Sequence, residues 1–592
     1  MKQVKCKFPV RILTLILGLF LTVSAFAQST ITGQVKDAAG EPIIGASVLI
    51  NGTSNGTMTD LDGNFSINAK PGATLTVSYI GFQKQQVAAA NGMVITLKED
   101  QAQQMNEVVV IGYGAVKKSD LTGSVTALKP DSKNKGLVVN AQDMLSGKVA
   151  GVSVTSDGGS PGGGANIRIR GGSSLSASNN PLIVIDGVAM DQTGIKGVSN
   201  PLSLVNPQDI ESFNVLKDAS ATAIYGSRGS NGVIIITTKK GRRGMQVSYN
   251  GSFTVSRNSK NYDVLSADEY RSLIGKKFGT ELYTLDANGN KVPTAYSRLG
   301  NANTNWQNEI FRTALSHDHN VAISGQVGSW LPYRVSAGYT NQQGIVKTSE
   351  FERFTGAVTL SPSLLDDHLK LTLNAKGMWT RNRFADGGAI GAARQFDPTQ
   401  PVYASGKEYE NFGGYFQWLS DGSALNDKTW PMTYYNLATK NPVSMLNLKN
   451  ERSISRDFLG SADLDYKVHG FEDLRLHVTA GLDVAKGRQT TDIDPASPLA
   501  TYYGFYGWET QLKRNMQLSA YAQYYHDFND KAKNHFDIMA GYEWAHFWHN
   551  TKNAYWSYYP STNSDATLAG KQRNYAPYYY ATENYLVSFF GR

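Results

Sequence analysis

The sequence predicts a mainly β chain made of a small β-sandwich, a compact turn-rich domain and a long antiparallel sheet. Short β-branched runs alternate with Gly, Asn and Pro turn signals up to residue 241, and a period of two over long segments dominates the rest. Gly (58 residues) and Tyr (31) are abundant, whereas charged residues make up only 18%. Frequent turns and many aromatic positions are typical of β-rich proteins.

Residues 1–27 have the pattern of a secretory signal peptide. A basic start precedes the apolar run from Ile12 to Val23, and a small-residue cleavage site ends at Ala27. The alternative is a membrane anchor, but this run is shorter than the ~20 residues that a spanning helix needs. The only cysteine, Cys6, lies in the same segment, so the mature chain is expected to form no disulfide.

Residues 28–99 predict a small β-sandwich. The turn dipeptides Asn51-Gly52, Asp62-Gly63 and Pro71-Gly72 separate short alternating runs at the spacing of sandwich strands. The segment from Asp60 to Asn64 faintly matches a calcium loop. Phe65 stands where that pattern requires glycine, so a hairpin turn is the favoured interpretation.

Residues 100–117 form a polar, Gln-rich linker that contains a β-branched run. The run consists of Glu107, Val108, Val109, Val110 and Ile111. A strand beside a polar linker can pair with the sheet edge of another protein. A strand that belongs to a neighbouring domain explains the composition equally well.

Residues 118–241 predict a compact α+β domain. It contains the blocks LSGKVAGVSV, IRIRGGSS, NPLIVIDGV and NPQDIESFNVLKDASATAIYGSRGSNGVIIITTKKG. Arg168 and Arg170 in the second block and Asp186 in the third are candidates for charged contacts between this domain and the sheet that follows. Structural roles in turns and packing explain these three residues equally well.

Residues 242–592 predict long amphipathic strands. Leucines alternate with polar residues in the run HLKLTLNAKGMW, so one face tolerates lipid and the other tolerates water, as in a membrane-spanning β-barrel. A soluble sandwich is the alternative, and Tyr and Trp at the strand ends argue against it. About ten such strands are predicted, near 245–257, 318–328, 332–342, 351–361, 368–380, 455–468, 473–485, 513–527, 535–547 and 580–592.

Three long insertions separate some of these strands, at 257–317, 381–451 and 486–511. Because outer-membrane barrels have short turns on the periplasmic side and long loops outside, these insertions are predicted to be extracellular. Aromatic residues in the second insertion suit either stacking on sugar rings or packing within the loop. They are Tyr403, Tyr409, Phe412, Tyr415, Phe416 and Trp418.

The sequence predicts neither an enzyme nor a cofactor or metal site. It contains no nucleophile elbow, phosphate loop, zinc-binding helix motif or cysteine pair. His546 and His549 fall on opposite faces of a predicted strand, which argues against shared metal binding. The net charge of +8 is spread along the chain without a basic block, so no nucleic-acid partner is expected.

The segment EVVVIGYGAVKKSDLTGSV and the blocks quoted above resemble SusC-like TonB-dependent outer-membrane transporters (the SusC/RagA family), in the same order. Residues 30–99 resemble the carboxypeptidase-regulatory-like domain of many such receptors. By this resemblance, Glu107 to Ile111 occupy the TonB-box position and residues 118–241 form the plug domain. Residues 242–592 then form the N-terminal part of an antiparallel transmembrane β-barrel.

The resemblance implies energy-coupled import of an oligomeric nutrient, a glycan first and a peptide second, across the outer membrane of a Gram-negative bacterium. Its implied partners are TonB with ExbB and ExbD, a SusD-like surface lipoprotein and outer-membrane lipid. The first alternative is a siderophore or cobalamin receptor, which usually lacks a domain like 30–99. The second is a non-transporting surface-binding protein or adhesin, which would lack a TonB box and a plug.

The resemblance also implies more strands than the sequence supplies. The family's barrel has about twenty-two strands, and an open sheet edge is not tolerated in lipid. With about ten strands after residue 242, the sequence is expected to be an N-terminal fragment with an incomplete barrel.

Overall fold

The computed structural model describes residues 29–591 except for short intervals. The intervals are 38–39, 44, 52, 54, 61, 80–81, 98–107, 111–114, 118–124, 129–139, 157, 173, 176–177, 199, 219–221, 420–437, 501–502, 529–533 and 560–564. The predicted signal peptide, Glu107 and Ile111 therefore lie outside the described residues. The chain divides into two compact units, one of residues 1–109 with 116–120 and one of 110–115 with 121–592.

The first unit contains the predicted β-sandwich. One sheet has the order β4-β1-β7 and the other β3-β2-β5-β6, with a shared core that includes Val35, Val48 and Leu75. Asp60 Oδ1 accepts the backbone N–H groups of Asp62 (3.0 Å) and Asn64 (2.8 Å), which is the geometry of the favoured hairpin turn. The strands are β1 (Ser29–Lys36), β2 (Ser47–Ile50), β3 (Gly56–Met58), β4 (Asn64–Ala69), β5 (Thr74–Ser78), β6 (Gln85–Ala88) and β7 (Met93–Thr96).

The plug domain of the second unit is built on a five-stranded mixed sheet with the order β10-β15-β16-β13-β14. Ile210, Phe213 and Ile236 are fully buried in its core. The strands between the sandwich and the long sheet are β8 (Val108–Val110), β9 (Ala115–Lys117), β10 (Val125–Leu128), β11 (Val152–Ser156), β12 (Ala165–Ile169), β13 (Leu182–Ile185), β14 (Val188–Ala189), β15 (Ile210–Leu216) and β16 (Val233–Thr238). Among the described residues of the plug, four 3-10 helices connect strands, at Ala141–Met144, Pro201–Leu204, Pro207–Asp209 and Ala223–Gly229.

The second part of this unit is one large antiparallel sheet, which confirms the prediction of about ten long strands. Each long strand pairs with the next long strand. The short strand β23 pairs with β24, and the short strand β29 pairs with β28. The strands from β17 onward are β17 (Gln246–Ser256), β18 (Tyr283–Leu285), β19 (Lys291–Pro293), β20 (Ala314–Val327), β21 (Leu331–Gln343), β22 (Glu350–Leu360), β23 (Ser363–Leu364), β24 (Leu369–Phe384), β25 (Lys449–Lys467), β26 (Leu474–Ile493), β27 (Tyr503–Asp527), β28 (His535–Tyr558), β29 (Gln572–Asn574) and β30 (Tyr579–Gly591); β18 and β19 form a separate hairpin.

The two faces of the large sheet differ in chemistry, as the period of two predicts. On β24, Leu373 is 40% exposed while Lys376 is 3% exposed. On β21, Val335 is 44% exposed while Thr340 is 1% exposed. We call the face that carries Leu373 and Val335 the apolar face, and the face that carries Lys376 and Thr340 the polar face. The apolar side chains lie on the surface and the polar ones are buried, which is the reverse of a water-soluble sheet.

The long insertions all lie at one end of the sheet, which we call the upper end, and they contain helices of their own. These are α1 (Ala267–Phe278), α2 (Trp306–Ile310), α3 (Gly388–Gln395) and α4 (Pro442–Asn447). The third predicted insertion is wrong in extent: β26 continues to Ile493 and β27 begins at Tyr503. Polar residues there break the amphipathic pattern but keep the backbone pairing, which side-chain alternation cannot reveal. No helix among the described residues is long and apolar enough to cross a membrane.

At the opposite, short-turn end of the sheet, two adjacent turns are joined by an ion-pair cluster. Glu472 accepts from His368 Nε2 at 2.8 Å and pairs with Lys467 Nζ at 2.6 Å. The Lys467 and His368 hydrogen bonds lower the pKa of Glu472 to about 2. The hydrogen bond to Glu472 in turn raises the pKa of His368. The Glu472 contribution is therefore lost as pH falls below about 4.3 toward 2, and the His368 contribution is lost as pH rises above about 6.5.

Replacing Glu472 with Gln should lower the pKa of His368 toward its ordinary value, because the neutral amide no longer favours the imidazolium. An NMR pH titration of the His368 ring measures this shift. The matched control is Asp473→Asn, since the neighbouring Asp473 pairs instead with His526 Nδ1 at 2.8 Å. An unchanged His368 titration in Glu472→Gln, or an equal shift in Asp473→Asn, would contradict the assignment.

Candidate functional site

The candidate site is the contact between the plug and the polar face of the large sheet. Polar groups from five segments of the plug reach strands β21, β22, β24, β25, β27 and β28. A buried polar group needs a partner, so the plug and the sheet satisfy each other across this contact.

Arg228 and Glu543 form one of the ion pairs between the plug and the sheet. Arg228 lies in the 3-10 helix Ala223–Gly229 of the plug, and the Glu543 side chain on β28 is 2% exposed. Tyr225 is buried beside them, and burial followed by the Glu543 charge raises its pKa. The phenol therefore stays protonated, and Glu543 is the charge that neutralises Arg228.

Asp209 links the plug to β21. Its Oδ1 accepts from Arg334 at 2.8 Å and its Oδ2 accepts from Ser336 Oγ at 2.6 Å. Asp209 ends a short 3-10 helix that begins with Pro207 and is capped by the Asn206 side chain. A local turn thus directs one carboxylate toward two sheet residues. Both hydrogen bonds are charge-assisted, so this contact is a strong one.

Asp186 links the plug to β24, where it forms an ion pair with Lys376. Its carboxylate also accepts from the backbone N–H (2.9 Å) and hydroxyl (2.7 Å) of Thr238. Asp186 has a positive φ of 45°, a conformation that Asp tolerates better than most residues. The turn therefore fixes the carboxylate between the plug sheet and Lys376.

Arg353 on β22 is 1% exposed, and its guanidinium is hydrogen-bonded to uncharged oxygens of the plug and the sheet. It donates to the Ser203 carbonyl at 3.2 Å and to Asn140 Oδ1 at 3.5 Å in the plug. It also donates to Thr340 Oγ1 of the sheet at 3.4 Å, and that hydroxyl donates to Asp318 at 2.6 Å. A fully buried cation of the sheet thus depends on the plug for part of its solvation.

The plug loop at Lys196 and Gly197 lies against β25, β26 and β27. Lys196 Nζ pairs with Glu509 at 3.2 Å, and its carbonyl accepts from Ser455 Oγ at 2.6 Å. A Cβ on Gly487 would lie 2.3 Å from the Lys196 carbonyl oxygen, so only glycine allows this approach. The loop and the sheet therefore meet backbone to backbone.

The three charged residues predicted to join the plug and the sheet occupy different positions. Asp186 contacts Lys376 as described. Arg170 forms an ion pair with Asp218, which also belongs to the plug. Arg168 lies on the hairpin strand β12 and is exposed. On β12 the side chain of Arg168 alternates with the buried Ile167 and Ile169, and Arg170 follows the end of the strand with a positive φ of 56°.

Sequence reasoning did not single out Asp209, Arg228 or Arg353. Arg228 and Asp209 stand inside blocks that were quoted, but no spacing rule distinguishes them from their polar neighbours. Their partners lie far along the chain: Arg228 and Glu543 are 315 residues apart. The alternation of side chains along β28 places Glu543 on the polar face. This alternation does not identify the plug residue that Glu543 contacts.

Val108–Val110 form the short strand β8, which pairs with Ala115–Lys117 (β9) in a two-stranded sheet. The predicted TonB-box run therefore includes a strand. Its role in partner binding stays a prediction.

The long insertions form a packed layer at the upper end of the sheet. Trp306, Phe396, Tyr415 and Phe416 are buried together in one cluster, so these loop aromatics pack rather than line a surface. Tyr403 is 59% exposed. A groove of about 620 Å³ runs between α1 and α3 and is lined in part by Asp263, Glu269, Tyr270, Arg394 and Phe396.

Comparison with known proteins gives the family. A family model for a CarboxypepD_reg-like domain matches residues 31–110, and a model for the TonB-dependent Receptor Plug Domain matches residues 117–233. The chain is 52% identical, over 98% of its length, to TonB-dependent receptor SusC of Bacteroides thetaiotaomicron. The chain belongs to the SusC-like TonB-dependent receptors. As a member of this family it is an outer-membrane protein, and its relatives are receptors rather than enzymes.

Two further relatives extend the comparison. TonB-dependent receptor P26 of Formosa agariphila is 31% identical over 81% of this chain. The structure of the RagAB peptide importer in the open-open state covers 82% of this chain and 54% of its own, at 23% identity and a TM-score of 0.61, so it shares the fold. The chain spans about half the length of these relatives, 56% of SusC and 45% of P26.

Replacing Glu543 with Gln should loosen the plug, because the partly buried Arg228 then loses its counter-charge. Breaking a buried pair on one side costs about 3–5 kcal/mol. Hydrogen exchange of the backbone amides of residues 223–238 measures the change in local opening free energy. The double variant Arg228→Gln with Glu543→Gln should recover part of the loss, since neither charge is then left alone.

Glu211→Gln is the matched control for this experiment. Glu211 is also a carboxylate in an ion pair and lies on the plug strand β15, but its side chain is 43% exposed and its Arg242 partner lies 3.9 Å away. Its replacement should change the local free energy by less than about 1 kcal/mol. Equal effects of the two glutamate replacements would show that the Arg228–Glu543 pair does not hold the plug.

Proposed function

We propose that this receptor imports an oligomeric nutrient across the outer membrane by TonB-dependent, energy-coupled opening of its plug. The carrying observation is a folded plug that contacts the sheet mainly through hydrogen bonds and ion pairs, in a chain that is 52% identical to a TonB-dependent receptor. Water can replace such contacts, so the plug can separate from the sheet without exposing a large apolar surface.

The work of separation is proposed to come from TonB, driven by ExbB and ExbD, which pulls on the run from Glu107 to Ile111. The β-branched composition of this run supports pairing with a sheet edge of a partner. The described part of the run is already a strand, which lowers the ordering cost of adding it to another sheet.

The substrate class is proposed to be a glycan, as the family resemblance implies, and the lid a SusD-like surface lipoprotein. A peptide is the second candidate because the RagAB complex, which shares the fold, is a peptide importer. The groove beside Tyr270 offers carboxylates, an arginine and an aromatic ring, groups that bind either hydroxyl-rich or peptide ligands. A siderophore or cobalamin receptor and a non-transporting adhesin are the outcomes that the following experiments distinguish.

Deleting residues 107–112 from the full-length receptor should abolish nutrient uptake, because TonB loses its point of attachment. Uptake of labelled oligosaccharides and labelled peptides into cells that carry each variant is the measurement. Deleting the six linker residues 101–106 is the matched control, since it shortens the same tether and leaves the β-branched run intact. Uptake that survives the first deletion would exclude a TonB-driven transporter, whereas surface binding without uptake by the unmodified receptor would favour an adhesin.

The same uptake panel tests the substrate class. Accumulation of oligosaccharides but not of peptides is the expected result, and the opposite selectivity would replace the glycan with a peptide. Purification of the receptor from outer membranes together with an acylated lipoprotein, identified by mass spectrometry, is expected for a lidded transporter. Uptake of an iron chelate or cobalamin without such a partner would favour the first alternative.

A further inference from the structure

The apolar face of the large sheet ends in a group of basic residues. We call this group the basic belt. It lies on β24, β25, β26 and β27, and its members are Arg381, Arg452, Arg456, Lys486, Arg488 and Arg514. All share the face of the lipid-facing residues, since each is an even number of residues from an exposed apolar side chain of its own strand.

Cross-strand register continues an aromatic row into the belt. Tyr339, Phe354 and Trp379 are directly paired neighbours on β21, β22 and β24, with ring centroids 4.5 Å and 5.7 Å apart. The next residue in this row is Arg456, and the one after it is Lys486. Aromatic rows of this kind mark the interface between hydrocarbon and headgroups.

The height of the apolar band agrees with this assignment. On β24 it extends from Leu369 to Trp379, ten residue steps of ~3.3 Å along the strand. A strand tilted by about 40° converts this length into ~25 Å, the height of the apolar band in outer-membrane barrels. Arg381 therefore lies where the headgroups begin.

The belt concentrates like charges that this chain does not neutralise at its centre. Arg456 is directly opposite Lys486, and Arg488 lies two residues beyond on the same face. Like charges at directly opposite positions destabilise a sheet. Within the described part of the chain, ion pairs join the polar-face lysines 376 and 513 to carboxylates, and none joins Arg456, Lys486 or Arg488 to one.

The flanks of the belt are less positive than its centre. Glu352 pairs across the strands with Arg381, and Glu350 with Arg383. On the other flank, Glu583 interacts electrostatically with Arg514. The excess positive charge is therefore centred on Arg456, Lys486 and Arg488.

Two belt arginines lie over aromatic rings of the neighbouring strand. The Arg488 guanidinium lies 5.0 Å from the Trp508 ring centroid, and the Arg514 guanidinium lies 5.3 Å from that of Trp548. A cation–π contact restrains the side chain, which reduces the entropy lost on binding, and leaves guanidinium N–H groups able to donate hydrogen bonds. Such planar, preorganised donors suit the oxygens of a phosphate.

The belt lies on the side of the long insertions, which in an outer-membrane protein is the extracellular side. We propose that the basic belt binds the phosphate group of a lipid in the outer leaflet, with its acyl chains on the apolar rows below. These rows are continuous: Leu373, Ala462, Ala480 and Leu518 are directly paired neighbours on four successive strands. One lipid can thus satisfy both the cations and the apolar surface.

Native mass spectrometry of the full-length receptor, extracted from outer membranes in a non-ionic detergent, tests this site. The probe is purified lipid A added to the micelles, with phosphatidylcholine as the zwitterionic comparison. The wild type should retain lipid A. The triple variant Arg456→Gln, Lys486→Gln and Arg488→Gln should bind lipid A more weakly, on the order of a hundredfold, because each cation near an anionic surface contributes to the binding free energy.

The matched control is the triple variant Lys276→Gln, Lys277→Gln and Lys291→Gln, because it removes the same charge from exposed positions of α1 and β19. It should retain lipid A like the wild type. Equal retention by the belt variant would overturn the proposal. Displacement of lipid A by millimolar inorganic phosphate would also overturn it, since the site would then bind the free anion.

A measurement on the unmodified receptor keeps the proposal testable if the belt variant fails to fold. Raising the salt concentration should release lipid A from the wild type, because screening weakens exposed charge contacts. Retention that does not depend on salt would contradict an electrostatic belt.

Discussion

The alternation of side chains along the long strands is the constraint on which the rest of the structure depends. Each strand presents one face to lipid and the other to the interior, and the interior face carries most of the buried polar residues of the sheet. Buried groups such as Lys376 and Arg353 need partners that an isolated sheet cannot supply. The plug supplies them with Asp186 and with the Ser203 carbonyl.

This division of labour explains why the plug is a separate folded body. Its own core is apolar and includes Ile185, Phe213 and Ile236, whereas its contact with the sheet is largely polar. Only a few sheet side chains, Met378 and Leu459 among them, join that core. A domain with an internal core and a polar outer contact can leave its position and stay folded, which a gate requires.

The sequence was informative wherever a local pattern decides the outcome. Alternation predicted the number of long strands and their faces, and turn dipeptides predicted the sandwich. Alternation did not predict that β26 and β27 continue past the apolar band, because backbone pairing there does not depend on amphipathic residues. Contacts such as Asp209 with Arg334, 125 residues apart, also follow from the fold and not from spacing. Arg170 was a candidate for a contact with the sheet, but it forms an ion pair with a residue of the plug itself.

The most direct test of this account is a single-molecule pulling experiment on the receptor in a lipid bilayer, with force applied to the chain at Val108–Val110. A polar contact of separate ion pairs predicts that the plug detaches at a lower force than the sheet, and that the sheet stays intact. Loss of sheet strands at the same force as the plug would contradict the account, because plug and sheet would then form one mechanical body.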